Sequence, residues 1–260
     1  MTLISIIIPS WNQRALLGEC ITSIVNTKCS LPNEIIVVDD ASSDDTVEYL
    51  RNNFPEVILI KNSTNEGYAK AVNKGASLAK GDFLFLLNND VVLTEGAIER
   101  LVSFLSGHPD AGAVAPLLVY PDGRLQISCR RFPAPAALML EKLRINKVWR
   151  MKRWKLTHEE HLRGGSVPQP MASALMIRRK CWDAVGPMDE RFPIFFNDVD
   201  WCFRVYKDTP YIIALDTGIK VIHHLGATVN MLGWKKKKEF YKGLVRFYLK
   251  HFPFKAEIKK

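Results

Sequence analysis

Leu3-Ile4-Ser5-Ile6-Ile7-Ile8-Pro9-Ser10-Trp11-Asn12 is apolar up to Pro9 apart from Ser5, and then turns polar and aromatic. A short continuous apolar run bounded by Pro reads as a strand buried on both faces, as in the centre of a parallel sheet. Working outward, residues 14–26 place Leu16, Leu17, Cys20, Ile21, Ile24 and Val25 at helical spacing. Residues 34–38 read as a second strand, followed by Asp44-Asp45-Thr46, acidic where a helix N-terminus favours it. A strand at 57–60, a helix over 66–79 and a strand at Phe83–Leu87 repeat the unit. Strands alternating with helices imply a mostly parallel α/β sheet with right-handed crossovers.

Ligands of such sheets sit beyond the carboxyl ends of the strands. Three strand ends are polar or acidic: Pro9-Ser10-Trp11-Asn12, Asp39-Asp40-Ala41-Ser42 and Asn88-Asn89-Asp90. Any one of them could be a plain turn; together they outline a site. The first carries no Gly-x-Gly-x-x-Gly, and the chain has no Gly-Lys-Ser/Thr, which argues against a dinucleotide fold and a P-loop. Trp11 can stack on a nucleobase and Asp40 can accept a base N–H. Asp90 suits Mg²⁺ or Mn²⁺ shared with a diphosphate. Asp198 and Asp200 fall in the first turn of a helix running through Trp201 and Phe203 to Val205, where capping is the plain alternative for one of them. His223 and His224 close a strand-like run, either as structural residues or as ligands.

The chain has 260 residues, 36 Lys and Arg against 27 Asp and Glu, and a formal net charge of +9. That excess points to an anionic partner. No apolar run approaches the roughly 18–20 residues of a membrane span, and the N-terminus lacks a signal-peptide pattern. Five Cys without a Cys-x-x-Cys pair favour a reducing compartment. Residues 130–170 mix Pro, basic residues and aromatics, with a helix or two expected over 136–155. Strand-like runs follow at 211–215 and 220–223. Residues 234–252, beginning at Trp234 and four Lys, read as an amphipathic helix with Phe240, Leu244 and Tyr248 on one face. Both basic segments carry aromatics (Trp149 and Trp154; Trp234, Phe240 and Tyr241), and beside a plain solvated face this composition suits docking on an anionic membrane or attraction to the acceptor's phosphates. No nucleic-acid motif is present, so nucleic acid is not an expected partner.

The segments 5–12, 37–46, Asn65-Glu66-Gly67-Tyr68-Ala69 and Leu87-Asn88-Asn89-Asp90-Val91 resemble family 2 glycosyltransferases of the GT-A fold. So do 172–179, Asp189-Glu190-Arg191-Phe192, Phe195-Phe196-Asn197-Asp198-Val199-Asp200 and 221–228, which are most similar to the rhamnosyltransferase-like branch. The resemblance implies a mixed, mostly parallel, Rossmann-like central sheet flanked by helices. A GT-A domain over 1–228 would comprise a nucleotide-binding half (1–120), a helical basic insertion (130–170) and an acceptor and catalytic half (171–228). A basic amphipathic C-terminal helix would occupy 229–260.

By the same resemblance, Pro9, Trp11 and Asp40 line the nucleobase and Asp39 shapes its pocket, with Asn12, Gly67 and Asn89 completing the nucleotide site. Asp90 and His223 would hold Mg²⁺ or Mn²⁺. Asp198 matches the second residue of the family's Glu-Asp pair, the expected general base. Asn197 and Asn88 replace acidic residues of the family pattern, which leaves the base between Asp198 and Asp200. The implied activity is inverting, metal-dependent hexosyl or rhamnosyl transfer from a nucleotide-sugar donor to a glycan or lipid-linked acceptor in cell-surface polysaccharide assembly. The expected location is cytoplasmic, peripheral on the inner face of the membrane. Two alternatives are an inactive glycosyltransferase-like assembly partner docked on the membrane and a sugar nucleotidyltransferase. The latter would want a Gly-rich basic loop where Pro9–Gln13 stands.

Overall fold

The computed structural model describes residues 2–133, 154–225, 233 and 235–252. The first strand, β1 (Ile4–Ser10), is buried throughout. Its side chains alternate across the sheet: Ile4, Ile6 and Ile8 enter one core layer and Ile7 the other. Parallel strands β2 (Asn33–Asp39) and β4 (Phe83–Leu87) flank it, and β3 (Ile58–Lys61) extends the β2 side. The helices α1 (Arg14–Asn26), α2 (Thr46–Asn53) and α3 (Tyr68–Leu78) connect them.

Beyond β4 the sheet becomes mixed. The remaining elements in chain order are β5 (Val91–Val92), α4 (Ala97–Gly107), β6 (Ala111–Val119), β7 (Cys129–Arg130), α5 (His158–Arg163), β8 (Gly165–Ser166), β9 (Gln169–Pro170), β10 (Ala174–Arg178), α6 (Arg179–Val185), α7 (Asn197–Asp208), β11 (Ile212–His223) and α8 (Lys235–His251). Strand order is β3-β2-β1-β4-β10-β6-β11-β5, with β8 on β11 and a separate β7–β9 ribbon. β10 runs antiparallel between β4 and β6. Helices α1 and α4 pack on one face through Leu17, Ile21, Leu101 and Leu105. Helices α3, α6 and α7 cover the other through Val72, Trp182, Trp201 and Val205. The expected α/β architecture is therefore present, with every polar strand end of the first half on the same edge.

Three expectations are amended. The runs at 211–215 and 220–223 are one strand, β11, whose register on β6 shifts between Asp216 and Lys220. Asp216 accepts the Gly218 amide at 2.9 Å, so the extra residues bulge out while pairing resumes. Most of the helical expectation over 136–155 lies outside the described residues, but Lys155 forms an extended bridge to Arg130. In the C-terminal helix, Phe240 faces inward, against Phe195, Phe196 and Trp154, rather than outward; Trp234 lies outside the described residues.

Candidate active site

The loop after β4 brings Asn88, Asn89 and Asp90 under the end of β1. Asn89 donates from Nδ2 to Ser10 Oγ at 3.2 Å, and Asn88 donates from Nδ2 to Ser173 Oγ at 3.2 Å. Asp90 is almost fully buried, and its carbonyl accepts the His224 amide at 2.9 Å. That bond continues the antiparallel pairing of β5 with the end of β11, and so it lays His223 against Asp90. Two residues 133 positions apart thereby meet: His223 Nε2 lies 3.3 Å from Asp90 Oδ1.

Gln126 fixes which protons are available there. Its Nε2 donates to the carbonyls of His223, at 2.6 Å, and Val119, at 3.3 Å. Its Oε1 is left facing His223 Nδ1 at 2.9 Å, so Nδ1 carries the hydrogen and Nε2 is the ring atom turned to Asp90. Asp90 Oδ1 is buried without a hydrogen-bond partner. An imidazole nitrogen and a carboxylate oxygen side by side are two donors that a divalent cation can share. Mg²⁺ and Mn²⁺ fit the donor set, because such ions take one or two protein ligands and complete their shells with phosphate oxygens and water. Among the described residues no cluster of three His, Cys, Asp or Glu is present.

At the next strand end the two aspartates have different surroundings. Asp40 accepts from Asn62 Nδ2, Glu66 N and Gly67 N, each at 2.8 Å, so both its oxygens organise the loop into α3. Asp39 accepts Ser42 N through Oδ2 at 3.2 Å, while its buried Oδ1 has no partner. Consecutive residues at a strand end point to opposite sides, and it is Asp39 that keeps a free acceptor. Pro9 is buried within β1 opposite Val38. Trp11 is partly exposed beyond the strand. Asn12 adopts φ 57° and accepts the Ser43 amide at 2.8 Å, tying the first two strand-end loops together. Gly67 has φ 88°, and a Cβ there would stand 2.8 Å from Pro193 Cβ and O; only glycine permits that approach.

Asp198 and Asp200 both lie in the first turn of α7, yet the structure separates them. Residues two apart on an α-helix differ by about 200° in direction. Asp200 is fully buried and both its oxygens are engaged, by Arg204 at 3.0 Å, Lys250 at 2.6 Å and His251 at 2.7 Å. Asp198 instead faces the β7–β9 ribbon, where Gln169 Nε2 donates to its Oδ2 at 3.2 Å and Val199 N to its Oδ1 at 2.8 Å. Burial pushes the Asp198 carboxyl above its usual range, against the charge of Arg130 and backbone donors that pull it down. Asn197 clamps the entry to the helix, donating to the carbonyls of Phe192 and Ile194 and accepting the Asp198 amide at 2.7 Å.

Tyr68, at the start of α3, links the two centres. Burial and the charges of both Asp198 and Asp90 push its hydroxyl pKa up, and the hydroxyl donates to Ala172 O at 3.2 Å. Gln126, Tyr68, Gln169 and Arg130 were not singled out as site residues from the sequence. Gln126 and Arg130 lie in stretches without a motif, and only the chain's return through β9, α7 and β11 gives these four their partners.

The chain matches the family model described as Glycosyl transferase family 2 over residues 5–183. It is 28% identical over 207 residues, 74% of the chain and 67% of the relative, to an N-acetylglucosaminyl-diphospho-decaprenol L-rhamnosyltransferase of Mycobacterium tuberculosis. It is 27% identical over 249 residues, 92% of the chain and 83% of the relative, to a PGL/p-HBAD biosynthesis glycosyltransferase of Mycobacterium bovis. Among solved structures, it superposes with TM-score 0.63 and 17% identity on a Pyrobaculum calidifontis mannosyltransferase in complex with GDP-Man and Mn²⁺. It superposes with TM-score 0.65 and 16% identity on GalNAc-T7 with UDP, GalNAc and Mn²⁺. Each likeness covers 95% of this chain, which spans 63% and 48% of those two chains respectively. The fold is thus GT-A, and the chain belongs to glycosyl transferase family 2.

Proposed function

We propose that this protein is an inverting, divalent-cation-dependent glycosyltransferase. It moves a sugar from a nucleoside-diphosphate donor to a hydroxyl of a glycan or lipid-linked acceptor. The observation that carries the reading is the pairing of two centres around Tyr68. One is Asp90 with His223, an oxygen and a nitrogen placed to share a cation; the other is Asp198, a carboxylate made more basic by burial.

In this reading Asp39 and Trp11 receive the nucleobase, through the free Oδ1 and the aromatic face. Asp90 and His223 would hold Mg²⁺ or Mn²⁺, which offsets the charge that develops on the departing diphosphate. Asp198 removes the proton of the acceptor hydroxyl as its oxygen bonds to the anomeric carbon, while the bond from that carbon to the diphosphate breaks on the opposite face. General-base assistance of this kind contributes about 10²–10⁴-fold. Gln169 orients Asp198 from one side, and the Asn197 clamp fixes it from the other. Asp200 anchors the helix.

The relatives support a lipid-linked acceptor: one is named for transfer to an N-acetylglucosaminyl-diphospho-decaprenol. Cell-surface polysaccharide assembly at the cytoplasmic face of the membrane is the matching setting. No described helix is long and apolar enough to cross a membrane.

A panel of nucleotide sugars screened by thermal shift with Mn²⁺ tests the donor half. A ligand at 100 times its Kd raises stability by about 2.7 kcal/mol. Donor hydrolysis, or transfer to a lipid-diphosphate acceptor by wild type but not by Asp198→Asn, tests the rest. Absence of any Mn²⁺-dependent nucleotide binding would sink the reading.

A further inference from the structure

Helix α8 has two faces of opposite use. Its inner face is built into the protein: Phe247 is fully buried with Phe192, Phe196 and Val199, and Tyr248 donates its hydroxyl to Pro133 O. A Cβ at Gly243 would stand 2.8 Å from the Phe196 ring and 3.2 Å from Phe195 O. Lys250 and His251 reach Asp200. The helix is thus fastened to the residues that lead directly into Asn197-Asp198.

The outer face carries Tyr241, Val245 and Leu249, which are 51%, 57% and 64% exposed. Their spacing of four and four residues is one stripe along a helix, running roughly 12 Å at 1.5 Å per residue. Lys238, Lys242 and Arg246 border the stripe, and Lys235, Lys236 and Lys237 precede it. The acidic residue in this helix, Glu239, is paired with Lys242.

We infer that this outer face of α8 is a docking surface for an anionic phospholipid bilayer. The stripe enters the headgroup region while the Lys run meets lipid phosphates. Charge complementarity commits the face to that occupant, since an apolar stripe within a cationic border matches an anionic surface with an apolar interior. A neutral protein partner would leave the border unpaired. The inference rests on the lipid-linked acceptor proposed above and specifies how it is reached. Because the inner face of the same helix holds the Phe195-Phe196 approach to α7, docking sets Asp198 at a fixed attitude to the membrane plane.

The test is cosedimentation of the full chain with phosphatidylcholine vesicles, with and without about one-third phosphatidylglycerol. Wild type is expected to partition to the anionic vesicles at least about tenfold more strongly, with binding lost on adding salt. Leu249→Asp, and separately Lys237→Glu with Lys238→Glu, should weaken that partitioning at least about tenfold. These side chains face outward, so thermal midpoint and nucleotide binding should stay at wild-type values. Equal binding to both vesicle types, no binding to either, or variants that partition like wild type would overturn the inference. So would a dimer that Leu249→Asp converts to monomer without changing vesicle binding, which would make the face a contact between copies. Partitioning is read without donor, so failure of sugar transfer in solution would count against the proposed function and leave this result standing.

Discussion

His223 Nε2 and Asp90 Oδ1 stand 3.3 Å apart, with Gln126 holding the hydrogen on the far side of the ring at 2.9 Å. A ring nitrogen fixed as an acceptor by a neighbouring amide is the arrangement that readies histidine for a metal. Gln126→Leu removes that hold while filling similar space, and outer partners of this kind are typically worth 10–100-fold in metal affinity. Calorimetry should show Mn²⁺-dependent nucleotide affinity falling by about that factor. Asp90→Ala should abolish the dependence on Mn²⁺ altogether. Unchanged affinity in both variants would place the ion elsewhere.

Asp198 is expected to be the base. Asp198→Asn keeps the shape but cannot take a proton, so turnover should fall at least about 10²-fold with nucleotide affinity retained. The same substitution reports on stability. The folded-state pKa of Asp198 is raised by burial. Its favourable contribution is therefore fully present below the ordinary carboxylate range and lost as pH rises through the raised value. At neutral pH the ionised carboxylate opposes folding, and the neutral Asn does not. A melting temperature at or above that of wild type, combined with the loss of turnover, would identify a residue kept for chemistry. A clear fall in melting temperature would argue for a structural role.

The raised pKa also fixes the acidic limb of the rate profile. Asp198 must be ionised to accept the hydroxyl proton, so kcat/KM should fall as pH drops through a value above the usual carboxylate range. Removing the positive charge of Arg130, which pulls that pKa down, should shift the limb upward. Arg130→Met tests this in a pH series, and a limb that stays in place would separate Arg130 from the base.

Much of this was written in local sequence. β1 declares itself because six residues from Leu3 to Ile8 leave only Ser5 polar, and Ser5 is satisfied internally, donating to Glu34 at 2.6 Å and accepting Gly81 N at 2.8 Å. Which of Asp39 and Asp40 keeps an unpartnered oxygen was not readable, since strand alternation puts them on opposite sides without saying which one the loop into α3 engages. The division between Asp198 and Asp200 was partly readable: helical phase alone puts them on different sides. What phase could not supply was the identity of the partners, since Lys250 and His251 arrive about 50 residues later. Gln126 was hidden for the same reason, its role appearing only when β11 returns 97 residues on.

Asp39 and Asp40 should separate binding from folding. Asp39 Oδ1 is buried and unpartnered, so Asp39→Asn should weaken nucleotide binding by about 1–3 kcal/mol, the cost of a lost or mismatched buried hydrogen bond, with little change in melting temperature. Asp40→Ala strands the donors of Asn62, Glu66 and Gly67 and should lower the melting temperature first. Equal loss of nucleotide affinity in both, at equal stability, would restore Asp40 as the base contact.

Asp200 carries the reverse expectation to Asp198. Its buried carboxylate stands among Arg204, Lys250 and His251, joining α7 to α8. Asp200→Asn preserves shape but leaves Arg204 without its carboxylate and Lys250 with Asp189 alone, and breaking a buried pair from one side costs about 3–5 kcal/mol. Denaturant unfolding should therefore show a large loss of stability, whereas Asp198→Asn shows none. Lys250→Met alone should cost less, because Arg204 still satisfies Asp200 through a bond within α7 at 3.0 Å. Near-wild-type stability for Asp200→Asn, coupled to a catalytic loss as large as that of Asp198→Asn, would transfer the base to Asp200. It would also require α8 to move away from α7 before the acceptor binds.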